Sequence, residues 1–108
     1  MSKITIVEYV GEDGKSPFAR WFSRIDATAA AKVSTALYRI EQGNVSNIKS
    51  VGKGIFECKI DFGPGYRIYF GWQSDTLVIL LGGGAKKTQD RDIKLAYQHW
   101  LRYKSSRR

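Results

Sequence analysis

The fold of this chain is decided by residues 55–72, which read IFECKIDFGPGYRIYFGW. On either side of Gly63-Pro64-Gly65, apolar side chains alternate with charged or polar ones at a period of two residues. Such alternation is typical of β-strands with one buried face, and glycine and proline between two such runs indicate a turn. The stretch therefore predicts an antiparallel hairpin of two strands.

The two faces of the predicted hairpin differ in chemistry. The face that carries Glu57, Lys59 and Asp61 on the first strand should carry Arg67 and Tyr69 on the second, by strict alternation. The opposite face is apolar and should join the core. Five polar or ionisable groups then share one open surface. That surface is either a solvated sheet face with cross-strand ion pairs or a binding site.

Two further strands and one loop are predicted around this hairpin. Residues 3–10 alternate in β-branched and aromatic residues, which predicts a first strand. Residues 76–81 are apolar on both faces, which predicts a central strand with neighbours on both sides, the first strand being one of them. Residues 43–54 are rich in glycine and asparagine and are interpreted as a loop, with Gly43 ending the preceding helix.

Apolar residues spaced three and four apart predict three helices. The first begins after Ser16, which caps it, the second after Asp26 or Thr28, and the third near Thr88. The predicted order is β-α-α-β-β-β-α, an α+β fold with a mainly antiparallel four-stranded sheet packed against a helical hairpin and a C-terminal helix. We expect one domain over residues 1–104 and a basic tail over 105–108.

Composition limits the classes of function and of catalytic site that this chain can have. The 108 residues include 18 lysines and arginines against 10 acidic residues, a formal charge of +8 that favours an anionic partner, nucleic acid first. A single cysteine, Cys58, excludes an internal disulfide and a cysteine-rich zinc site, and a single histidine, His99, excludes a histidine-rich metal site. Catalysis must then depend on Lys, Arg, Tyr, Asp or Glu, and we expect no metal or other cofactor.

The expected location is the cytoplasm. No apolar run approaches the roughly 20 residues that span a bilayer, and the first residues lead into an alternating strand pattern instead of a signal sequence. One cysteine also fits a reducing compartment.

A second functional signal lies in residues 82–92, which read GGGAKKTQDRD. Glycines let the backbone approach a ligand closely, free N–H groups at a helix start attract phosphate, and Lys86 and Lys87 add positive charge. The spacing of a P-loop is absent, so nucleoside triphosphate binding is not indicated. The alternative for the two lysines is a solubilising loop. The case for a phosphate-binding edge depends on Lys59, Arg67 and the lysine pair bordering one surface.

Three other side chains receive a prediction from their positions. The aromatic residues lie mostly on apolar stripes and should pack in the core, but alternation places Tyr69 on the polar face, where it should be exposed. Cys58 should be an inert buried thiol. His99 flanks an apolar stripe near the chain end and should lie on the surface.

Several motifs together match a known family. They are Asp13-Gly14-Lys15-Ser16-Pro17-Phe18 with Trp21-Phe22, Gly43-Asn44, Val51-Gly52-Lys53-Gly54, Phe62-Gly63-Pro64-Gly65-Tyr66-Arg67, and Leu81-Gly82-Gly83-Gly84 with Lys86-Lys87-Thr88-Gln89-Asp90 and Asp92-Ile93. In these motifs the chain resembles the addiction-module killer proteins, the HigB-like branch of the RelE/ParE toxin superfamily. The resemblance covers nearly the whole chain. It implies the toxin of a type II toxin-antitoxin pair, with a RelE/ParE-like fold.

The resemblance also implies an activity and partners. Most characterised branches are endoribonucleases that cleave mRNA without a metal, often on the ribosome, and so inhibit translation and growth. The usual reaction is attack of the ribose 2′-OH on the adjacent phosphate, which needs a base, positive charge for the phosphorane and an acid for the leaving 5′-oxygen. The implied partners are mRNA, with the ribosome, and a cognate antitoxin, either an acidic segment or a helix-turn-helix, HigA-like protein.

Catalytic residues can be carried over by position. Lys59 and Arg67 match the phosphate-contacting basic residues of the family, and Lys86 or Lys87 matches its basic residue after the last strand. Glu57 stands where the family has a second strand lysine, and it is the candidate base, with a lysine of the pair as acid.

RNA-contacting residues follow from the same comparison and from alternation. Gln89 and Asp92 are residues of the branch, and Arg91 lies between them. We assign these three and Tyr69 to RNA binding. The chain departs from the best-known ribonucleases near the start of its last segment, where Asp90, Arg91 and Asp92 replace Tyr or His.

Two other functions remain open. A ParE-like toxin that inhibits DNA gyrase needs no nucleophile or acid and would tolerate the missing Tyr or His. A basic nucleic-acid-binding module would explain the charge of +8 but not the resemblance. The grouping of Lys59, Arg67 and the lysine pair favours phosphate chemistry.

Overall fold

The computed structural model describes residues 3–107. Met1 and Ser2 of the predicted domain and Arg108 of the predicted tail lie outside the described residues. The elements, in chain order, are β1 (Thr5–Glu8), α1 (Pro17–Phe22), α2 (Ala27–Glu41), β2 (Ile48–Gly52), β3 (Ile55–Ile60), β4 (Tyr66–Ser74), β5 (Leu77–Gly84), a single-turn 3₁₀ helix (Lys86–Thr88) and α3 (Gln89–Ser105).

The strands form one five-stranded sheet in the order β1-β5-β4-β3-β2. β1 and β5 are parallel, and the other neighbours are antiparallel. The α+β class is confirmed, as is the central position of the strand predicted over residues 76–81, which is β5 and lies between β1 and β4. The prediction of four strands is wrong, and the sheet is mixed.

The additional strand is β2, which lies in the segment interpreted as a loop. Lys49 pairs with Glu57 and Ser50 with Phe56 in an antiparallel ladder at the edge of the sheet. Only two of the five residues of β2 are partly buried. Its sequence therefore lacks the apolar alternation that reveals a strand, and its pairing is set by β3.

The helix boundaries follow the predicted caps. The Ser16 hydroxyl accepts a hydrogen bond from the Ala19 amide at 3.0 Å, and the Asp26 carboxylate accepts one from the Ala29 amide at 2.8 Å. Gly43 follows Gln42, the C-cap residue of α2. Its φ is 91°, a left-handed conformation that glycine adopts without steric cost. These predictions are confirmed.

Both faces of the sheet are covered. One face packs against α1 and α2, in a cluster that includes Phe18, Val33 and Phe70. The other packs against α3, in a cluster that includes Tyr69, Ala96 and Trp100. The second cluster lies on the face that alternation marks as polar. The prediction of an open surface is therefore wrong for Glu57, Arg67 and Tyr69, which are buried, while Lys59 and Asp61 are exposed as predicted.

No helix within residues 3–107 is both long enough and apolar enough to cross a membrane.

Candidate functional site

The register of the central hairpin brings the predicted polar residues together. Glu57 of β3 lies opposite Tyr69 of β4, and Lys59 lies opposite Arg67. The pairing confirms what alternation predicts for these four residues. Arg67 in turn lies opposite Gly84 of β5, so one row of residues crosses three neighbouring strands at the end of the sheet where β5 stops.

Glu57 and Arg67 form a buried ion pair under α3. The Arg67 Nε lies 3.5 Å from the Glu57 Oε1, and the side chains are 6% and 1% exposed. The Arg67 Nη1 donates a hydrogen bond to the Gly65 carbonyl at 2.7 Å, and the Gln89 Nε2 donates one to the Glu57 Oε1 at 2.8 Å. Gln89 thus joins the first turn of α3 to this pair. Lys49 of β2 adds a solvent-facing ammonium 3.9 Å from the Glu57 Oε2.

Tyr69 is fully buried, so the prediction that it is exposed is wrong. Its hydroxyl has no hydrogen-bond partner among residues 3–107. Burial raises the pKa of this phenol above its ordinary value, and the negative charge of Glu57 adds to the increase. The physical reason for the error is that α3 packs on the middle of β4, which alternation along a strand does not reveal. A direct RNA contact by Tyr69 is not compatible with this burial.

The lysines of the predicted site are exposed. Lys59 is about half exposed, and its Nζ lies 3.4 Å from an Asp61 carboxylate oxygen that is itself in solvent. The Lys86 amide donates to the Pro64 carbonyl at 3.3 Å, which fixes the 3₁₀ helix against the turn between β3 and β4. Lys86 and Lys87 therefore stand at the same end of the sheet as Lys59 and Arg67. We call this group of four the basic row.

Lys59 also borders a groove between α2 and the β2-β3 edge. The groove has a volume of about 750 Å³, and Lys32, Arg39 and Lys49 contribute further cations to it. Lys49 was missed at the level of sequence because its segment lacks a strand pattern.

Cys58 is buried as predicted, and burial raises the pKa of its thiol, with Glu57 adding a smaller increase.

Arg91 and Asp92 lie away from the basic row, in contrast to Gln89. They line a second cleft, between α1, α3 and the end of β5. The Asp92 carboxylate accepts a hydrogen bond from the Thr88 hydroxyl at 2.6 Å, and the Arg91 Nε lies 4.0 Å from Asp92. The predicted RNA-binding set is therefore divided between two surfaces on either side of the start of α3.

His99 and Arg102 line the same second cleft. The His99 ring is half-buried against Tyr9, with 5.2 Å between ring centroids, and it lines the cleft, so it lies at the surface as predicted. Burial lowers the pKa of the imidazole, and the positive charge of Arg102 lowers it further. Arg102 was missed, although positions 91, 95, 99 and 102 follow helical spacing and so share one face of α3.

Comparison with known proteins gives two findings. Residues 20–100 match the family described as "Phage derived protein Gp49-like (DUF891)". An uncharacterized protein of Haemophilus influenzae (strain ATCC 51907 / DSM 11121 / KW20 / Rd) is 50% identical over 80 residues, which cover 73% of this chain and 81% of that protein. The family match runs from within α1 to the twelfth residue of α3 and includes β2 to β5, so it extends well beyond a single motif.

Proposed function

The chain belongs to the phage-derived Gp49-like family, a family of RelE-type toxins of toxin-antitoxin systems, and on that premise we propose that it is a toxin that cleaves mRNA. The proposed activity is a metal-independent endoribonuclease reaction on mRNA that occupies the ribosome. This cleavage inhibits protein synthesis and growth. A HigB-like relationship within the superfamily belongs to the same proposal.

The observation that carries this proposal is the basic row. Its lysines are exposed, while Arg67 is held from below by Glu57 and Gly65. Neighbouring strands are about 4.8 Å apart, so cations on adjacent strands can contact successive oxygens of one phosphate or of two neighbouring phosphates. The strand register fixes Lys59 beside Arg67, and the hydrogen bond of the Lys86 amide to Pro64 fixes the lysine pair at the same end of the sheet.

The proposed chemistry is transesterification. The ribose 2′-OH gives up its proton to a base, either Glu57 or solvent water, and its oxygen attacks the adjacent phosphorus. The bond to the 5′-oxygen breaks, and the products carry a 2′,3′-cyclic phosphate and a 5′-hydroxyl. Lys59 and Lys86 stabilise the negative charge of the phosphorane, and Lys86 or Lys87 supplies the proton that the leaving oxygen takes up.

Glu57 has two proposed roles in this scheme. As the base predicted from sequence, it would take the proton of the 2′-OH. In the structure its carboxylate is 1% exposed and already engages Arg67 and Gln89. These contacts support a positioning role more than direct proton transfer. In that role Glu57 holds Arg67 in its place within the basic row.

The test is cleavage of a defined mRNA in a reconstituted bacterial translation mixture. Fragment ends are mapped by primer extension, and their terminal groups are identified. We expect fragments with 2′,3′-cyclic phosphate termini, reduced at least about a hundredfold in Lys59→Ala and Lys86→Ala. The matched control is Lys94→Ala, an exposed α3 lysine outside both clefts. Intact mRNA with the unmodified protein would overturn the proposal.

Membership of a toxin family implies a cognate antitoxin. We propose that the antitoxin covers the basic row with an acidic segment or as part of a helix-turn-helix protein. Co-expression with the neighbouring reading frame should yield a complex that survives gel filtration and that weakens as salt is raised, because charge pairing at an exposed surface is screened. If the complex were equally stable after the charges of Lys59, Lys86 and Lys87 are reversed, the antitoxin would bind elsewhere.

A further inference from the structure

The second cleft is a built, positively charged site away from the basic row. It has a volume of about 680 Å³. Arg20 and Arg24 enter it from α1 and the turn that follows, and Arg91 and Arg102 enter it from α3. Cations from two separate elements therefore converge on one concavity.

The guanidinium groups of this cleft are available for a ligand. Arg20 lies 3.9 Å from an Asp13 carboxylate oxygen and Arg91 lies 4.0 Å from Asp92, which are long contacts. Within residues 3–107, no carboxylate oxygen lies within 4.0 Å of a side-chain nitrogen of Arg24 or Arg102. The planar guanidinium fork matches phosphate oxygens two at a time, which an ammonium group does not do. The cleft thus differs from the lysine-rich basic row in the kind of contact it can make.

An aromatic surface lies beside these arginines. His99 lines the cleft, and its ring rests on that of Tyr9 at a centroid distance of 5.2 Å and an interplanar angle of 30°. The lowered pKa of His99 keeps the imidazole uncharged near neutral pH. Proteins that bind single-stranded nucleic acid combine cations that follow the backbone with aromatic rings on which bases stack.

The cleft is continuous with the proposed cleavage site. Thr88, the last residue of the 3₁₀ helix that carries Lys86 and Lys87, lines the cleft together with Gly84. Gly84 is also the β5 neighbour of Arg67. An RNA strand that leaves the basic row would reach the cleft by passing the start of α3.

We propose that this cleft binds single-stranded RNA beside the cleavage site, with phosphates on Arg24 and Arg102 and a base on the ring of His99. The proposal rests on the proposed function, because it extends the substrate path of that activity. Glu12, Asp13 and Asp92 also line the cleft and repel any polyanion. The aromatic ring is what favours RNA over an acidic peptide, since a peptide of aspartate and glutamate gains nothing from stacking.

The test is binding of a fluorescein-labelled 12-nucleotide 2′-O-methyl RNA, which cannot undergo attack by its 2′-oxygen, measured by anisotropy over a range of salt concentrations. The test variant is Arg24→Gln with Arg102→Gln, and the matched control is Lys94→Gln with Arg107→Gln, two exposed cations outside the cleft. We expect the test variant to bind about tenfold more weakly than the control variant, with a salt slope shallower by about 1.4, or about 0.7 for each lost phosphate contact.

A second pair of variants tests stacking. His99→Ala should weaken RNA binding, whereas His99→Phe should retain it, because a phenyl ring can still lie on Tyr9 and accept a base. A merely structural role of His99 would instead lower the unfolding temperature of His99→Ala, while His99→Ala and His99→Phe would bind RNA with equal affinity.

Several outcomes would overturn the proposal. One is equal RNA affinity in the test and control variants. Another is a fluorescein-labelled 12-residue glutamate peptide that loses affinity in the test variant while RNA does not, which would make the cleft a site for an acidic segment. Failure of the proposed function is a separate result: mRNA then stays intact in the translation mixture, while binding of the 2′-O-methyl RNA still depends on Arg24 and Arg102.

Discussion

Arg67 and Glu57 are held together in the interior, with Nε of the arginine 3.5 Å from Oε1 of the glutamate and both side chains almost excluded from solvent. The Arg67 Nε forms no hydrogen bond within the described residues, although Nη1 bonds to the Gly65 carbonyl. The pair is thus an electrostatic contact between two desolvated charges. Removing Arg67 leaves the Glu57 carboxylate buried with the Gln89 hydrogen bond and the solvent-facing Lys49 ammonium as its remaining partners.

This relationship predicts the outcome of Arg67→Ala. We expect the free energy of unfolding to fall by about 3–5 kcal/mol, because the Glu57 carboxylate loses its buried counter-ion. Lys59→Ala, at a half-exposed position, should change it by no more than about 0.5 kcal/mol. Urea titrations followed by circular dichroism measure both. Equal midpoints for Arg67→Ala and the unmodified protein would contradict the buried-pair account.

Interpretation of toxicity data depends on that result. Because Arg67 is a candidate catalytic residue, Arg67→Ala is expected to abolish growth inhibition. Because Arg67 is buried, loss of activity in this variant would combine lost structure with lost chemistry. Lys59 and Lys86 are exposed, so their variants separate the two effects.

The burial of the Tyr69 hydroxyl predicts that the protein tolerates the substitution Tyr69→Phe. It is buried without a hydrogen-bond partner in the described part of the chain, so Tyr69→Phe removes a desolvated polar group and leaves the ring in place. We expect unchanged or slightly increased stability and unchanged growth inhibition, whereas Tyr69→Ala should lose about 3–5 kcal/mol through its cavity. Thermal unfolding and a growth assay measure these effects. Loss of toxicity in a stable Tyr69→Phe protein would show that the hydroxyl takes part in function.

Packing of α3 on the sheet depends on Gly71. A Cβ at this position would lie 2.7 to 2.8 Å from carbons of the Trp100 ring. Gly71→Ala should therefore destabilise the protein by about 1–3 kcal/mol through overpacking. Gly11→Ala is the matched control, because the nearest atom to its Cβ would belong to the flexible Asp13 side chain, at 3.2 Å, and the next atoms would lie at ordinary contact distances of 3.7 and 3.8 Å. A Trp100→Leu change should recover part of the loss in the double variant; simple additivity of the two changes would argue against this contact.

The lowered pKa of His99 predicts a dependence of stability on pH. Below the ordinary value of 6.5, the unfolded chain binds a proton at His99 while the folded protein still excludes it, so acidification favours unfolding. Between pH 7.5 and 5.5 the unmodified protein should lose more stability than His99→Gln, which has no histidine left to titrate. Denaturant midpoints at the two pH values give the comparison. The same decrease in both proteins would show that His99 titrates normally.

The sequence predicted what depends on local order. Alternation placed Glu57 and Lys59 on the hairpin face that also carries Arg67 and Tyr69, because the two-residue period on both sides of a Gly-Pro-Gly turn indicates which side chains share a face. Cap residues such as Ser16 and Asp26 likewise act within one helical turn.

What the sequence did not reveal depends on distant contacts. β2 forms because β3 offers an edge, and its own residues carry little β pattern. The burial of Glu57, Arg67 and Tyr69 results from α3 packing on their face, and alternation indicates which side chains share a face without indicating what covers it. The apolar stripe of α3 was the available signal, since Ala96 and Trp100 require an apolar partner that the sheet provides around Gly71.

The central claim is that this toxin cuts mRNA through the basic row. The most direct measurement is brief induced expression in bacteria, with mRNA 5′ ends sequenced and plasmid supercoiling measured in the same culture. We predict new 5′ ends inside coding frames, absent in Lys59→Ala and present in Lys94→Ala, with supercoiling unchanged. Relaxed plasmid together with intact mRNA would contradict the account and assign the toxicity to inhibition of DNA gyrase.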